Sequence, residues 1–104
     1  MKLFLEASVT IDDPPPEQMA KAVKTEKFAI LSEACDSGTY IQFLRRERRN
    51  PPLTLEYQEG STDNHFRAKD ADITSERIVA AFWKYATGDD SWKRDFDWEP
   101  LKLC

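Results

Sequence analysis

Apolar and polar residues alternate strictly at the start of the chain. The apolar members of this stretch are Leu3, Leu5, Ala7, Val9 and Ile11. A period of two puts one set of side chains on one face of a strand, so the pattern predicts a half-buried strand over residues 3–11. Asp12, Asp13 and the prolines at 14–16 end this strand, because proline removes a backbone donor and moves the preceding residue out of the helical region.

Two stretches have the helical period instead. The first begins at Pro16, which suits the first helical position, and it is predicted to be a short surface helix because its apolar face is weak. The members of that face are Met19, Ala20 and Val23. The second covers residues 75–87, where Thr74 can cap the N-terminus and Gly88 follows the last periodic position. The periodic apolar positions of this second helix are Ile78, Val79, Phe82 and Ala86.

Short β-rich runs separated by turn residues fill the middle of the chain. They cover residues 28–32, 40–45, 53–58 and 65–69. Consecutive runs joined by turns form hairpins, so they predict an antiparallel meander of three or four strands. One face of such a sheet is apolar, and the helices must cover it. The prediction is one α+β domain over residues 1–104. It has an antiparallel sheet of four to five strands, the N-terminal strand included, with two helices packed against it.

Composition and charge narrow the choice of function. The 104 residues suffice for one core, and 19 acidic residues against 15 basic ones give a net charge of -4. Phosphate contacts require a basic face, so no nucleic-acid partner is predicted and a basic protein partner is favoured. No apolar run approaches the roughly 20 residues that cross a bilayer, and no signal peptide is recognisable. The predicted location is the cytoplasm, without membrane contact.

Groups that could carry catalysis or bind a metal are few. Cys35 and Cys104 lack Cys-x-x-Cys spacing and are interpreted as incidental thiols, so no metal or cofactor is predicted. The single histidine, His65, shares a predicted strand face with Arg67 and is expected to be exposed. Nothing in the spacing favours a Cys35/His65 nucleophile pair, and three isolated glycines form no phosphate loop, so no enzyme is predicted. The basic cluster at residues 45–49 is interpreted as a solvated loop.

The C-terminal residues 89–104 combine acidic side chains with large aromatic rings. Two interpretations stay open and can coexist. The rings are core residues surrounded by solvated carboxylates, or the segment is an interface for a basic protein. The open face of the meander is a competing surface, although a wet sheet face is its ordinary interpretation. The candidate partner-binding residues are Asp89, Asp90, Trp92, Asp95, Asp97, Trp98 and Glu99 in the tail and Tyr40, Gln42 and Glu56 on the open face.

A succession of short motifs runs through most of the chain. They are Tyr40-Ile41-Gln42, Leu55-Glu56-Tyr57 followed by Gly60-Ser61, His65-Phe66, Phe82-Trp83-Lys84-Tyr85, Gly88-Asp89, Trp92 and Phe96-Asp97-Trp98-Glu99. This succession resembles small immunity proteins of bacterial polymorphic toxin and contact-dependent inhibition systems. The resemblance implies a bacterial protein that binds a cognate toxin and blocks it. It transfers no contact residues, because such families diverge quickly at the surface that meets the toxin.

The mechanism expected from the resemblance and the tail is stoichiometric occlusion. Carboxylates of the tail would meet lysines and arginines of the toxin, while Trp92 or Trp98 anchors the contact. One alternative is a general interaction module or a homodimeric scaffold, joined through sheet edges or the open sheet face, without a toxin partner. A second alternative is a small-molecule-binding protein or enzyme with a pocket at His65 and Cys35.

Overall fold

The computed structural model describes residues 1–6, 9–33, 38–46, 48 and 52–101, which form a seven-stranded antiparallel sheet and two α-helices. In chain order the elements are β1 (Lys2–Leu5), β2 (Thr10–Asp12), α1 (Pro16–Thr25), β3 (Phe28–Ser32), β4 (Tyr40–Arg45), β5 (Leu53–Glu59), β6 (Ser61–Ala68), α2 (Ser75–Thr87), a 3₁₀ helix (Asp90–Arg94) and β7 (Trp98–Pro100). The order across the sheet is β2-β1-β3-β4-β5-β6-β7. The predicted α+β class with an antiparallel sheet and two helices is confirmed.

The sheet has more strands than the four to five predicted, for two reasons. The stretch predicted as one strand is a hairpin, in which Leu3 of β1 pairs with Ile11 of β2. Odd-numbered residues of β1 therefore pair with odd-numbered residues of β2. The alternation of apolar and polar residues is the same as in one continuous strand, so it does not reveal the turn. The other reason is β7, which pairs with β6 at the opposite edge of the sheet. Its three residues include Pro100 and carry too little β signal to be recognised.

Alternation within the strands gives the sheet a core face and an outer face. Completely buried side chains on the core face include Leu3, Leu31, Ile41, Phe43 and Leu55. Both helices pack on this face and against each other. Phe82 of α2 meets Phe43 of β4 with 6.1 Å between ring centroids. The helices therefore leave the outer face of the sheet uncovered.

Helix α1 contributes more to the core than its weak apolar stripe predicts. Met19 and Val23 are completely buried, because α1 contacts both β3 and α2. Two or three side chains on one turn are enough when a helix packs against both the sheet and a neighbouring helix. The rest of α1 is largely exposed, so the predicted surface helix and its start at Pro16 are confirmed.

One residue of the basic cluster holds the C-terminus of α1. The guanidinium of Arg45 donates hydrogen bonds to the carbonyl oxygens of Lys24 and Glu26, both at 3.0 Å, and to that of Val23. The last carbonyls of a helix lack partners within it and carry the negative end of its dipole, so a cation stabilises them. The prediction of a solvated loop is wrong for Arg45, whereas Arg46 is exposed.

Both ends of α2 lie where the sequence predicts them. The side chain of Thr74 accepts a hydrogen bond of 3.2 Å from the backbone N–H of Arg77. Gly88 ends the helix with a left-handed φ of 81°, which glycine adopts without the steric cost of a side chain. Neither this helix nor any other in the described ranges is long and apolar enough to cross a bilayer.

The chain beyond α2 folds back on the domain. Trp92 and Phe96 are buried, which confirms their interpretation as core residues. Trp98 is half-buried, and its indole N–H donates a hydrogen bond of 2.9 Å to the carbonyl oxygen of Lys93. Cys35 and Cys104, interpreted from the sequence as incidental thiols, lie outside the described residues.

Candidate functional site

The structure brings several chain segments together at one end of the sheet. Antiparallel pairing places the end of β3, the start of β4 and the β5–β6 turn side by side, and the C-terminus of α2 lies next to them. We call this part of the molecule the acidic end, because its carboxylates include those of Glu33, Glu59, Asp89 and Asp90.

A cleft of about 300 Å³ opens at the acidic end. Its walls include the rings of Tyr57, Tyr85 and Trp92, and its charged lining residues are Glu33, Glu59, Asp90 and Lys93. We call it the acidic cleft. Its volume is at the lower limit of ligand pockets in proteins, so it suits one small group rather than a large cofactor.

The aromatic walls of the acidic cleft are held by ring contacts. Trp92 meets Tyr57 edge-on at 4.9 Å and Tyr85 at 5.7 Å between ring centroids. Trp98 lies behind them, 4.6 Å from Tyr57. Edge-to-face contacts of this kind favour defined ring orientations, so the walls are preformed. Trp92 is only 3% exposed and forms part of a wall rather than a projecting anchor.

A lysine of the chain itself occupies one side of the cleft. The ammonium of Lys93 forms an ion pair with Glu59 and lies 5.7 Å from the ring centroid of Tyr57 and 5.6 Å from that of Trp92. The hydrogen bond with Glu59 raises the pKa of Lys93, so its charge is retained at neutral pH. The aromatic walls thus already stabilise one cation.

The cleft also has polar groups without a hydrogen-bond or ion-pair partner in the described ranges. The hydroxyl of Tyr85 is buried and has no hydrogen-bond partner among those residues. Burial raises the pKa of Tyr85, and the nearby carboxylates of Glu33 and Glu59 raise it further, so the hydroxyl stays neutral. Glu33 and Asp90 form no ion pair with the residues that the structure places. The cleft therefore has an excess of negative charge.

The remaining carboxylates of the predicted tail site are mostly paired within the chain. Asp95 binds Lys84 at 2.6 Å, Asp97 lies 3.5 Å from Lys69, and Glu99 binds Arg67 at 3.0 Å. Asp89 caps the 3₁₀ helix by accepting a 2.9 Å hydrogen bond from the N–H of Ser91, which lowers its pKa. Of the tail residues predicted to bind a partner, Asp90 and Trp92 line the acidic cleft, and Trp98 supports its wall.

The predicted residues of the open face belong to a separate hydrogen-bonded group, which we call the His65 network. It consists of Tyr40, Gln42, Glu56, Gln58 and His65. The imidazole of His65 contacts the Oε1 atoms of Glu56 at 2.7 Å and Gln58 at 3.1 Å. Gln42 donates a 3.0 Å hydrogen bond to Glu56, and Tyr40 donates one of 3.2 Å to Gln58.

The His65 network is largely shielded from solvent, contrary to the sequence prediction. His65 is 2% exposed, Gln58 7% and Glu56 8%, so the expectations of an exposed histidine and a wet sheet face are wrong here. These residues lie on inner strands of a wide sheet, where long neighbouring side chains such as Tyr40 cover them. Within the residues that the structure describes, no group of three or more His, Cys, Asp or Glu side chains is arranged to bind a metal ion.

Of the charged and aromatic residues that line the acidic cleft, sequence reasoning misses five: Glu33, Tyr57, Glu59, Tyr85 and Lys93. Glu33 directly follows β3, and the others belong to β5, α2 and the 3₁₀ helix, so only the three-dimensional fold brings them together. A partial signal exists for Tyr85, which lies three residues after Phe82 and therefore close to the buried stripe of α2.

Comparison with known proteins finds no matching family model, no similar curated protein and no similar solved structure.

Proposed function

We propose that this chain is an immunity-type protein that binds a cognate bacterial toxin and blocks it by stoichiometric occlusion. The observation that carries the proposal is the acidic cleft, a preformed aromatic recess in which Glu33 and Asp90 form no ion pair with the described residues. Aromatic walls supply contact area that loses water on binding, and unpaired carboxylates attract a basic surface. The motif resemblance described above supports the same class of function.

The distribution of charge at the two ends of the sheet supports a defined binding orientation. Exposed Lys27, Arg46 and Arg48 lie at the end opposite the acidic end. A basic toxin is attracted more strongly to the acidic end than to the other end, where these cations lie together with the exposed carboxylate of Glu6. Complementary potentials of this kind increase the rate of encounter and disfavour the wrong orientation. The partner's contact is therefore proposed to centre on Glu33, Asp89 and Asp90.

The proposal predicts that a large toxin is encoded beside the gene for this chain, and that toxin is the candidate for the test. The C-terminal domain of the toxin candidate is expressed in a sensitive host with and without this protein. The expected results are restored growth, an equimolar complex in size-exclusion chromatography, and loss of toxin activity that is complete at a molar ratio of one. Continued toxicity together with the absence of a complex would reject the proposed function.

The position of the interface is tested by charge reversal. Glu33→Lys and Asp90→Lys are each expected to weaken the complex by about tenfold or more, because each introduces repulsion against a basic partner. Glu6→Lys is the matched control, since Glu6 is an exposed carboxylate in the β1–β2 turn at the opposite end of the sheet. Equal losses from all three changes would show that net charge alone, and not the acidic end, governs binding.

A further inference from the structure

The acidic cleft is lined mainly by hydrogen-bond acceptors. Glu33 and Asp90 line it and form no ion pair with the residues that the structure describes, and Tyr85, whose buried hydroxyl has no hydrogen-bond partner among those residues, lines it as well. Ionised carboxylates only accept hydrogen bonds, whereas a tyrosine hydroxyl can both accept and donate. A group with several N–H donors therefore matches this lining best.

The charge of the cleft indicates the sign of that ligand. Three carboxylates and the ammonium of Lys93 line it, so one added positive charge still leaves the cleft without excess positive charge. Lys93 lies against Tyr57 and Trp92 and shows that these rings accept a cation. The ring of Tyr85 completes the walls near the carboxylates of Glu33 and Glu59. A cation can therefore enter between aromatic faces and carboxylates.

We propose that the acidic cleft binds one guanidinium group, supplied by an arginine side chain of the partner protein. Guanidinium is planar, stacks on aromatic rings and presents several donors at fixed angles, which suits acceptors on separate chain segments. An ammonium is more strongly hydrated and concentrates its charge at one point, so it suits this cleft less well. The assignment to a partner's arginine rests on the proposed function, whereas the affinity of the cleft for guanidinium does not.

The affinity is measured by NMR titration of the isotope-labelled full chain with N-acetyl-arginine amide at constant ionic strength. The expected result is a saturable shift of the Trp92 indole N–H and of the Gly88 and Asp90 amides. N-acetyl-citrulline amide is the matched ligand, because it replaces the guanidinium by a neutral urea of the same shape. We expect it to bind at least about tenfold more weakly, since it lacks the charge and offers an acceptor oxygen to carboxylates.

Variants test whether the shifts come from the cleft. Glu33→Gln and Asp90→Asn each remove one charge from an exposed side chain and are expected to weaken arginine-amide binding about threefold or more. Glu6→Gln, at the far end of the sheet, is expected to leave it unchanged. Equal binding of the arginine and citrulline compounds, or shifts spread evenly over all acidic surfaces, would overturn the proposal.

The partner's contribution is tested separately from the proposed function. In the complex with the toxin candidate, the arginine compound is expected to lose access to the cleft, and one toxin Arg→Gln variant is expected to restore it. Probe binding without any toxin complex would reject the immunity function and leave the guanidinium site standing as a site for a free cation. A toxin complex that neither blocks the probe nor responds to Glu33→Gln and Asp90→Asn would reject the arginine assignment alone.

Discussion

The Nε2 atom of His65 lies 2.7 Å from the Oε1 atom of Glu56, within a part of the sheet that is almost closed to solvent. The other ring nitrogen faces Oε1 of Gln58, whose amide nitrogen donates to the carbonyl oxygen of Gly38 at 2.9 Å. This second bond orients the Gln58 amide so that its oxygen faces His65. Strands β4, β5 and β6 are thereby connected through side chains as well as through backbone pairing.

Replacing His65 by alanine is expected to lower the free energy of unfolding by about 3 kcal/mol, because it leaves a buried carboxyl group without its principal partner. Urea denaturation measures the change. Arg67→Ala is the matched control, since Arg67 contacts Glu99 at 3.0 Å from a partly exposed position on the same strand. Its expected cost is below about 1 kcal/mol. Similar losses for the two variants would show that the His65 network adds nothing beyond a surface pair.

The stability contributed by Asp70 is expected to depend on pH. Burial raises the pKa of Asp70, but the 2.8 Å hydrogen bond from the Asp97 amide and the contact with Arg77 outweigh it and lower the pKa overall. The folded state favours the ionised form of Asp70. Its contribution to the free energy of unfolding is therefore fully present when the pH is above the ordinary pKa of 3.8, and it is lost as the pH falls below that value. Asp70→Asn should therefore cost about 1–2 kcal/mol at pH 7 and much less near pH 2.

Urea titrations of the Asp70→Asn variant at several pH values measure this difference. Asp63→Asn serves as the control, because Asp63 is an exposed aspartate in β6, the strand that precedes Asp70. A deficit of the Asp70 variant that stays constant between pH 7 and pH 2 would contradict the argument.

Arg45→Met is expected to loosen the C-terminus of α1 by removing three hydrogen bonds to its last carbonyls. The expected cost is about 2–3 kcal/mol, because bonds from a charged donor are lost and the carbonyls are left facing an apolar side chain. Hydrogen exchange should show faster exchange in the last turn of α1 before other parts of the fold respond. Arg46→Met removes an exposed arginine next in the chain and should change neither measurement.

Two glycines with positive φ are expected to respond differently to the same change. A Cβ atom on Gly38 would lie 2.6 Å from the carbonyl oxygen of Gly60, whereas a Cβ on Gly60 would meet no atom within 4 Å. Gly60→Ala is therefore expected to lower the free energy of unfolding by about 1 kcal/mol, the cost of a left-handed backbone conformation for alanine. Gly38→Ala has the same conformational cost and must also displace a backbone segment. Thermal unfolding should rank Gly38→Ala as clearly the less stable, and equal melting temperatures would contradict the close approach.

The sequence predicts the structure best where contacts between residues close in the chain determine the local conformation. Thr74 and Gly88 mark the ends of α2 because a cap and a left-handed residue act on neighbouring backbone groups. The β-rich runs bounded by turn residues likewise identify β3, β4 and β5 within one residue of their ends. The hairpin of β1 and β2 is hidden, because its register preserves the alternation of a single strand.

The candidate site depends on contacts that no local pattern reports. Glu33 and Tyr85 are 52 positions apart in the sequence, yet both line the acidic cleft. The alternation of the sequence predicts a surface position for His65. The side chain is buried because residues of two other strands cover it. The acidic residues of the tail are visible in the sequence, but which of them remain unpaired depends on the positions of Lys69, Lys84 and Arg67.

The two outermost strands are short: β2 has three residues ending at Asp12, and β7 has three ending at Pro100. These edges offer few free backbone groups to a strand of another molecule. In addition, β2 has a charged side chain at Asp12, and β7 lacks a backbone N–H at Pro100. Strand addition is thereby discouraged along the described borders. Two copies of this chain that associated through the outer faces of their sheets would leave the recess at the end of the sheet open to a third molecule.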